Sequence, residues 1–508
     1  MEIILTGNNL TLEDFIAVAR GRAKVSLAAT AANKAEEARR KIERIIAAGK
    51  TVYGINTGFG KLSNVAVGND ELETLQANLL KSHACAIGEP LPVEAARGAM
   101  LLRANALAKG YSGVRLVVID QLLKYLNNDI VPVVPAKGSL GASGDLAPLA
   151  HLALALLGEG EAFYKKERMK TQEALSLAGL EPLASLAPKE GLSLINGTQI
   201  MTAVGSLALY DAIGLSKAAD IAAALSLEAL LGIRDAFSSK IHSVRPHPGQ
   251  AATARNILRL TEGSEYLCRA GDARVQDGYS LRCVAQVHGA SRDAFAYVRR
   301  VTETEFNSAT DNPLVFAADK VISGGNFHGQ PLALAFDFLK IAAAELANIS
   351  ERRLERLVNP YLNEGLPAFL VARPGLNSGF MIVQYSAASL VSENKVLAHP
   401  ASVDSIPSSA GQEDHVSMGA IAARGAKEIV ENSLYVVAME IFAALQALDL
   451  RGTRAMGAGT APAYRLLRQA IPFIENDEIM HPYIEKIAAL IKDGELVRAV
   501  EDKIGALE

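Results

Sequence analysis

Three long segments leave this chain few ways to fold. Residues 200–234, 331–358 and 413–448 are rich in Ala and Leu and carry little charge around the helical circumference. A helix that is apolar on every side has to be covered on every side, which places it in the middle of a bundle. The expected fold is therefore mainly α: long, roughly antiparallel helices forming a central bundle, with a smaller mixed N-terminal domain. On this reading the chain divides into residues 1–195 and residues 196–508, the second part holding the bundle and the C-terminal helices.

Composition supports helix and narrows the partners. Among 508 residues there is no Trp and aromatics make up only 5%, while Ala and Leu dominate with Glu, Lys and Arg between them. A net charge of −4 without a long basic run argues against nucleic acid or an anionic membrane as partner. Cys85, Cys268 and Cys283 are odd in number and lack metal-ligand spacing, which suits reduced thiols in a cytoplasm. Residues 1–7 show no basic region followed by an apolar core, so no secretory signal is expected, and Glu440 interrupts the apolar run 436–450 too soon for a membrane span. The nine histidines show no metal-ligand spacing either, and no required metal is expected.

Shorter helical patterns occupy the first part of the chain. Thr11 is placed to cap a helix at its N-terminus, and further helices are expected over 30–50, 71–84, 93–109 and 114–127. Residues 131–135, punctuated by Pro132 and Pro135, set an extended segment, and a helix follows over 146–157 with Pro148 in its first turn. Residues 163–169 read as a short hairpin or loop, with a helix over 171–178.

The extended segment delivers the chain to Gly138-Ser-Leu-Gly-Ala-Ser-Gly-Asp-Leu-Ala-Pro-Leu149. Small residues crowd its centre, and Gly144 has no Cβ, so its amide nitrogen can approach a nearby carbonyl. Attack on the Ala142 carbonyl carbon would close a five-membered ring, and loss of the Ser143 hydroxyl as water would leave an exocyclic methylene. The product is a methylidene-imidazolone (MIO), an electrophile made from Ala142, Ser143 and Gly144. A plain Gly/Ser turn capping the next helix is the competing reading, and composition favours it. Either way the triplet lies at a helix N-terminus, whose dipole would withdraw electron density from a ring.

Other loops carry unusual polar density. Thr51-Val-Tyr53-Gly-Ile-Asn-Thr-Gly-Phe-Gly-Lys61 presents a phenol on a glycine-rich backbone; its Gly60-Lys61 lacks the glycine spacing and the following Ser or Thr of a phosphate loop. His83 stands near a helix end, where a histidine is commonly structural. Asn196-Gly197 interrupts an apolar run. Tyr279 and Arg282 share the loop 275–283, Phe327 the loop 324–330, and Glu413 the loop 408–415. In a helical protein of this composition such loops are where chemistry is placed.

Taken together, Gly141-Ala-Ser-Gly-Asp-Leu-Ala-Pro-Leu-Ala-His151, Tyr53-Gly-Ile-Asn-Thr-Gly-Phe-Gly60, Gln276-Asp-Gly-Tyr-Ser-Leu-Arg282 and Gly324-Gly-Asn-Phe-His-Gly329 resemble the aromatic amino acid ammonia-lyases, from about residue 10 to about residue 450. Ser82-His83, Tyr279-Ser-Leu-Arg282-Cys and Gln412-Glu413-Asp-His-Val-Ser-Met418 follow the histidine-specific branch; Gly411 stands where Asn is expected, and the stretch 361–366 is altered. The resemblance implies elimination of ammonia from L-histidine to trans-urocanate by an MIO group formed from Ala142, Ser143 and Gly144, with no external cofactor. It implies Tyr53 as general base, which requires a phenol pKa well below about 10, and Tyr279 as an assisting catalytic residue in the same shell as Asn196. Arg282 would hold the substrate carboxylate and Asn196 the ring or substrate backbone. His83, Glu413 and Phe327 would bind the imidazole. A homotetramer with each site shared between three subunits is implied as well.

Other readings remain in view. An MIO aminomutase, or a lyase for another aromatic amino acid, would use the same scaffold. Fumarase-like lyases are also built of long helices but use a mobile Ser loop, and a helical scaffold without activity would need no ring at all.

Overall fold

The computed structural model describes residues 2–272, 274–317 and 320–508. Helix dominates, as the composition requires, and strands are short and few. Four long helices supply the bundle segments: Gln199–Ala229, Val284–Phe306, Gln330–Val358 and Gly419–Leu450. Gly419–Leu450 is long and apolar enough to cross a membrane, yet 78% of its most apolar window is buried within the protein, the mark of a core helix.

Two of the expected boundaries move, and one long helix was not anticipated. The helix expected from residue 413 begins at Gly419, because Met418 adopts a left-handed backbone (φ 57°) that cannot continue a right-handed helix. Residues 413–418 are therefore loop. The helix expected to run to residue 234 stops at Ala229, where Leu231 (φ 52°) turns the chain. Val284–Phe306 escaped the apolar criterion: it carries His288, Arg292, Asp293, Arg299, Arg300, Glu303 and Glu305, so its helical stripe is narrow.

The chain forms two units. The first comprises residues 1–207, 299–337 and 400–424; the second comprises 208–298, 338–399 and 425–508. The expected cut between 195 and 196 differs from this division, because each boundary lies within or beside a long helix or its loop and later segments return to the first unit. No single cut in the sequence can describe two discontinuous units.

The mixed character expected of the N-terminal part resides in the first unit. Glu2–Leu5 pairs in parallel with Lys24–Leu27, and Ile87–Pro90 pairs antiparallel with Pro135–Lys137. Ile130–Pro132, Glu161–Tyr164 and Glu167–Lys170 form a three-stranded antiparallel sheet, so residues 163–169 are indeed a hairpin. Thr11 caps Leu12–Ala19 with a reciprocal box: its hydroxyl accepts from the Asp14 amide, and the Asp14 carboxylate accepts from the Thr11 amide. Leu146–Leu156 follows the Gly/Ser-rich loop directly, which sets Ala142, Ser143 and Gly144 before its first turn.

Candidate active site

The loop 138–145 is fastened from three sides, all within the first unit. Gly144 has φ 70°, and a Cβ there would overlap the Gly197 carbonyl. Only glycine fits both the backbone and the space. The Asp145 amide donates to the Gly197 carbonyl at 2.7 Å, so the loop lies against the Asn196-Gly197 turn. The Asp145 side chain does not cap its own helix. It accepts from the amides of Ile200 and Met201 at 3.0 and 2.9 Å, in the first turn of Gln199–Ala229, and from the Ser139 hydroxyl at 2.7 Å. Burial pushes this carboxyl up to about 6, against the lowering effect of those donors. From the other side, Ser417 donates its hydroxyl to the Gly141 carbonyl at 2.8 Å and the Met418 amide donates to Leu140 at 2.9 Å.

An open cavity of about 180 Å³ lies over this loop, and Ser143, Gly144, Ser82, His83, Cys85 and Glu413 are among its lining residues. The Ser143 hydroxyl donates to Glu413 Oε1 at 2.8 Å, and Ser408 donates to Oε2 at 2.9 Å. Backbone bonds in both directions between Ser408 and Glu413 hold that carboxylate in place. Between them Gly411 has φ 80° with open space around it. Gly and Asn are the residues that adopt this conformation most readily, so the departure at 411 leaves the loop intact.

His83 sits at the end of Leu72–His83, sharing a hydrogen bond of 3.0 Å with the Ser82 hydroxyl. Burial holds its pKa below the ordinary histidine value, against the opposing effects of the Leu79 carbonyl and the Glu413 charge. A neutral imidazole therefore shares the cavity with a carboxylate and the Ser143 hydroxyl.

The remaining expected residues are placed differently. Tyr53 is half-buried and does not line the cavity; its phenol accepts from the Gly60 amide at 3.4 Å. Burial, assisted by the charges of Glu413 and Asp311, raises its pKa, the reverse of what the sequence reading required of a base. Asn196 is buried, its amide donating to the Asn312 carbonyl at 3.0 Å while Oδ1 has no partner among the described residues. Phe327 is half-buried in a loop whose next residue, His328, stacks at 5.8 Å on His415 and contacts the His415 carbonyl at 3.2 Å. Tyr279 and Arg282 belong to the second unit. There the Arg282 guanidinium lies 4.6 Å over the Tyr279 ring and donates to Gln276 at 2.7 Å, and Tyr279 is 72% exposed.

Sequence reasoning gave no role to Asp145, Ser408 or Ser417, although all three stand in the polar segments it singled out. Asp145 was visible as a carboxylate directly after the small-residue triplet. The roles of Ser408 and Ser417 carry no signal of their own, because only folding brings these hydroxyls to Glu413 and Gly141.

A model of the aromatic amino acid lyase family matches residues 10–469. The histidine ammonia-lyase of Alkaliphilus oremlandii is 56% identical over 504 residues, covering 99% of each chain. Among solved structures, histidine ammonia-lyase from Trypanosoma cruzi superposes with a TM-score of 0.92 at 43% identity, covering 99% of this chain and 96% of that one. Tyrosine aminomutase from Streptomyces globisporus superposes with a TM-score of 0.96 at 38% identity, covering 99% of both.

Proposed function

Because the chain belongs to the aromatic amino acid lyase family, we propose that it eliminates ammonia from L-histidine to give trans-urocanate, as a carbon–nitrogen lyase of the cytoplasm. The observation that carries the choice of substrate is the cavity in which Ser143 meets both a neutral His83 and the Glu413 carboxylate. Those two side chains offer an imidazole substrate one uncharged partner and one anionic partner. The 56% identity to a histidine ammonia-lyase, against 38% to a tyrosine aminomutase, supports the same choice.

The residues present fit an MIO group built from Ala142, Ser143 and Gly144. The closing position has room for no side chain, and the buried Asn196 amide oxygen in the adjoining turn has no hydrogen-bond partner among the described residues. The group supplies an electrophile for the substrate amine, so that ammonia departs more readily. Around it, His83 and Glu413 hold the imidazole, Phe327 packs against that ring, and Asn196 hydrogen-bonds the group or the substrate backbone. Arg282 presents a planar fork to the substrate carboxylate, which Lys could not match. Tyr53 takes the β-proton, and Tyr279 assists in the same shell.

The same reading extends to more than one copy of the chain. An exposed Tyr279 stacked with Arg282 suits a pair offered to a neighbour. The reading is a homotetramer with each site completed by three subunits. The test is a product assay with L-histidine alongside an intact-mass measurement. Urocanate and ammonia should appear, and the mature chain should be lighter than its sequence by two waters. A β-amino acid product would indicate an aminomutase, and an unmodified mass would remove the electrophile and the proposal together.

A further inference from the structure

The Asn196-Gly197 turn is gripped by a fully buried arginine. Arg103 lies inside the helix Val93–Ala108, and its Nη1 donates to the Asn196 carbonyl at 3.0 Å. A Cβ on Gly197 would crowd the Gln199 side-chain oxygen most closely, and would lie 2.6 Å from that same nitrogen and 2.8 Å from the Thr310 hydroxyl. Gly144 packs against the backbone of Gly197, whose carbonyl accepts from the Asp145 amide. The Asn196-Gly197 turn is thus held by the guanidinium at one carbonyl and meets the ring-closing segment at the next.

Burying this arginine is costly. Its Nε and Nη2 find no hydrogen-bond partner among the described residues, although the Asp311 carboxylate nearby offsets its charge. Asp311 is itself fixed by Lys189 at 2.7 Å and Ser193 at 2.8 Å. A rigid cationic fork backed by an immobilised anion is suited to holding a backbone turn in place.

We propose that Arg103 is a positioning residue for closure of the Ala142–Gly144 ring, acting through the Asn196-Gly197 turn that it holds against Gly144. This rests on the MIO reading of the site. Closure joins the Gly144 nitrogen to the Ala142 carbonyl carbon, whose oxygen leaves as water with the amide hydrogens of Gly144 and Ser143. The Ser143 hydroxyl then leaves as water with the Cα hydrogen, and no oxidant or reductant is required. Without Arg103 the turn relaxes backward, Gly144 follows it, and its nitrogen recedes from Ala142. Misplacement of reacting atoms by about an ångström slows a reaction on the order of 10²-fold.

The test follows intact mass with time in freshly synthesised full-length chains: the parent, Arg103→Met, Arg103→Lys and one control variant. The control is Ser291→Ala, which removes a buried hydrogen bond to the Ala342 carbonyl and touches neither the turn nor Asp311, so it controls for lost stability. The expected result is loss of two waters at the parental rate in Ser291→Ala, and roughly 10²-fold more slowly in folded Arg103→Met and Arg103→Lys. Folding is checked by circular dichroism. If Arg103→Met does not fold, Arg103→Lys, which keeps the charge and loses the fork, decides the matter alone. Parental rates in a folded Arg103 variant overturn the proposal and leave the MIO reading standing. A parent chain of unmodified mass overturns both.

Discussion

At the scale of single residues, the cavity joins a hydroxyl, a neutral imidazole and a carboxylate, and each has a separable role. Ser82 and His83 lie on the cavity wall at the end of one helix, so changing them alters what ring is accepted without touching Ser143. His83→Leu should weaken histidine turnover, and Ser82→Phe with His83→Leu should shift preference toward phenylalanine. Comparing kcat/KM for the two amino acids checks this, and full histidine selectivity in the double variant would refute it. Tyr53 has a raised pKa from burial, so its phenolate fraction grows only as the solution becomes alkaline. If it is the base, kcat/KM rises with pH, and Tyr53→Phe loses both that limb and roughly 10²–10⁴-fold of the rate. Glu413→Gln should keep the alkaline limb; its disappearance there would transfer the role of base to Glu413.

At the scale of the element, the long helices of the second unit are pinned by buried charge. Arg353 makes a two-pronged pair with Glu440 at 2.5 and 2.8 Å, and Ser226 and Ser350 donate to the same carboxylate. His288 Nδ1 bonds Asp220 at 2.7 Å while its Nε2 faces Arg353 at 3.4 Å, and Asp220 also receives Arg292 and Asn256. Every long helix contributes at least one of these groups, so a shift of one helix would leave charge unpaired. Glu440→Gln should therefore destabilise the fold by about 3–5 kcal/mol, read from thermal or denaturant unfolding. Acid should act on the same seam. Burial lowers the pKa of His288 despite the opposing Asp220 carboxylate, with Arg353 and Arg292 lowering it further. The unfolded chain then takes up a proton near pH 6.5 that the folded chain refuses, and stability falls as the pH drops through that value. His288→Asn should flatten this part of the profile of Tm against pH, and an unchanged slope would show that other groups set it.

At the scale of the whole molecule, apolar side chains stand exposed on helices that composition would otherwise bury. In the second unit Phe338, Ile341, Ile382 and Tyr385 are 48%, 45%, 57% and 60% exposed. Exposed apolar side chains of this kind are what the proposed homotetramer would cover. With a homotetramer, sedimentation should report four chains, and Phe338→Glu with Ile341→Glu should reduce that number and the lyase activity together. A fully active monomer would refute the shared site.

The amino-acid sequence carries the helical class, the Thr11 cap, a short hairpin or loop over 163–169 and the loop that holds Ser143. Each of these follows from local propensity, periodicity or the steric needs of a few adjacent residues. It also indicated His83 and Glu413, because those side chains sit in motifs long enough to be distinctive. Only the tertiary structure shows that Asp145 binds the start of a different helix, that Ser408 and Ser417 fasten the site, and that Arg103 grips the Asn196 carbonyl. Only it shows the polar helix Val284–Phe306 to be a long element of the bundle, since its His288 is buried and its Arg292 largely covered by charged partners. Apart from the local Ser408–Glu413 pair, these outcomes depend on residues between about 55 and 280 positions apart in the chain meeting in space, and desolvation at such a meeting is what shifts the acidity of Asp145.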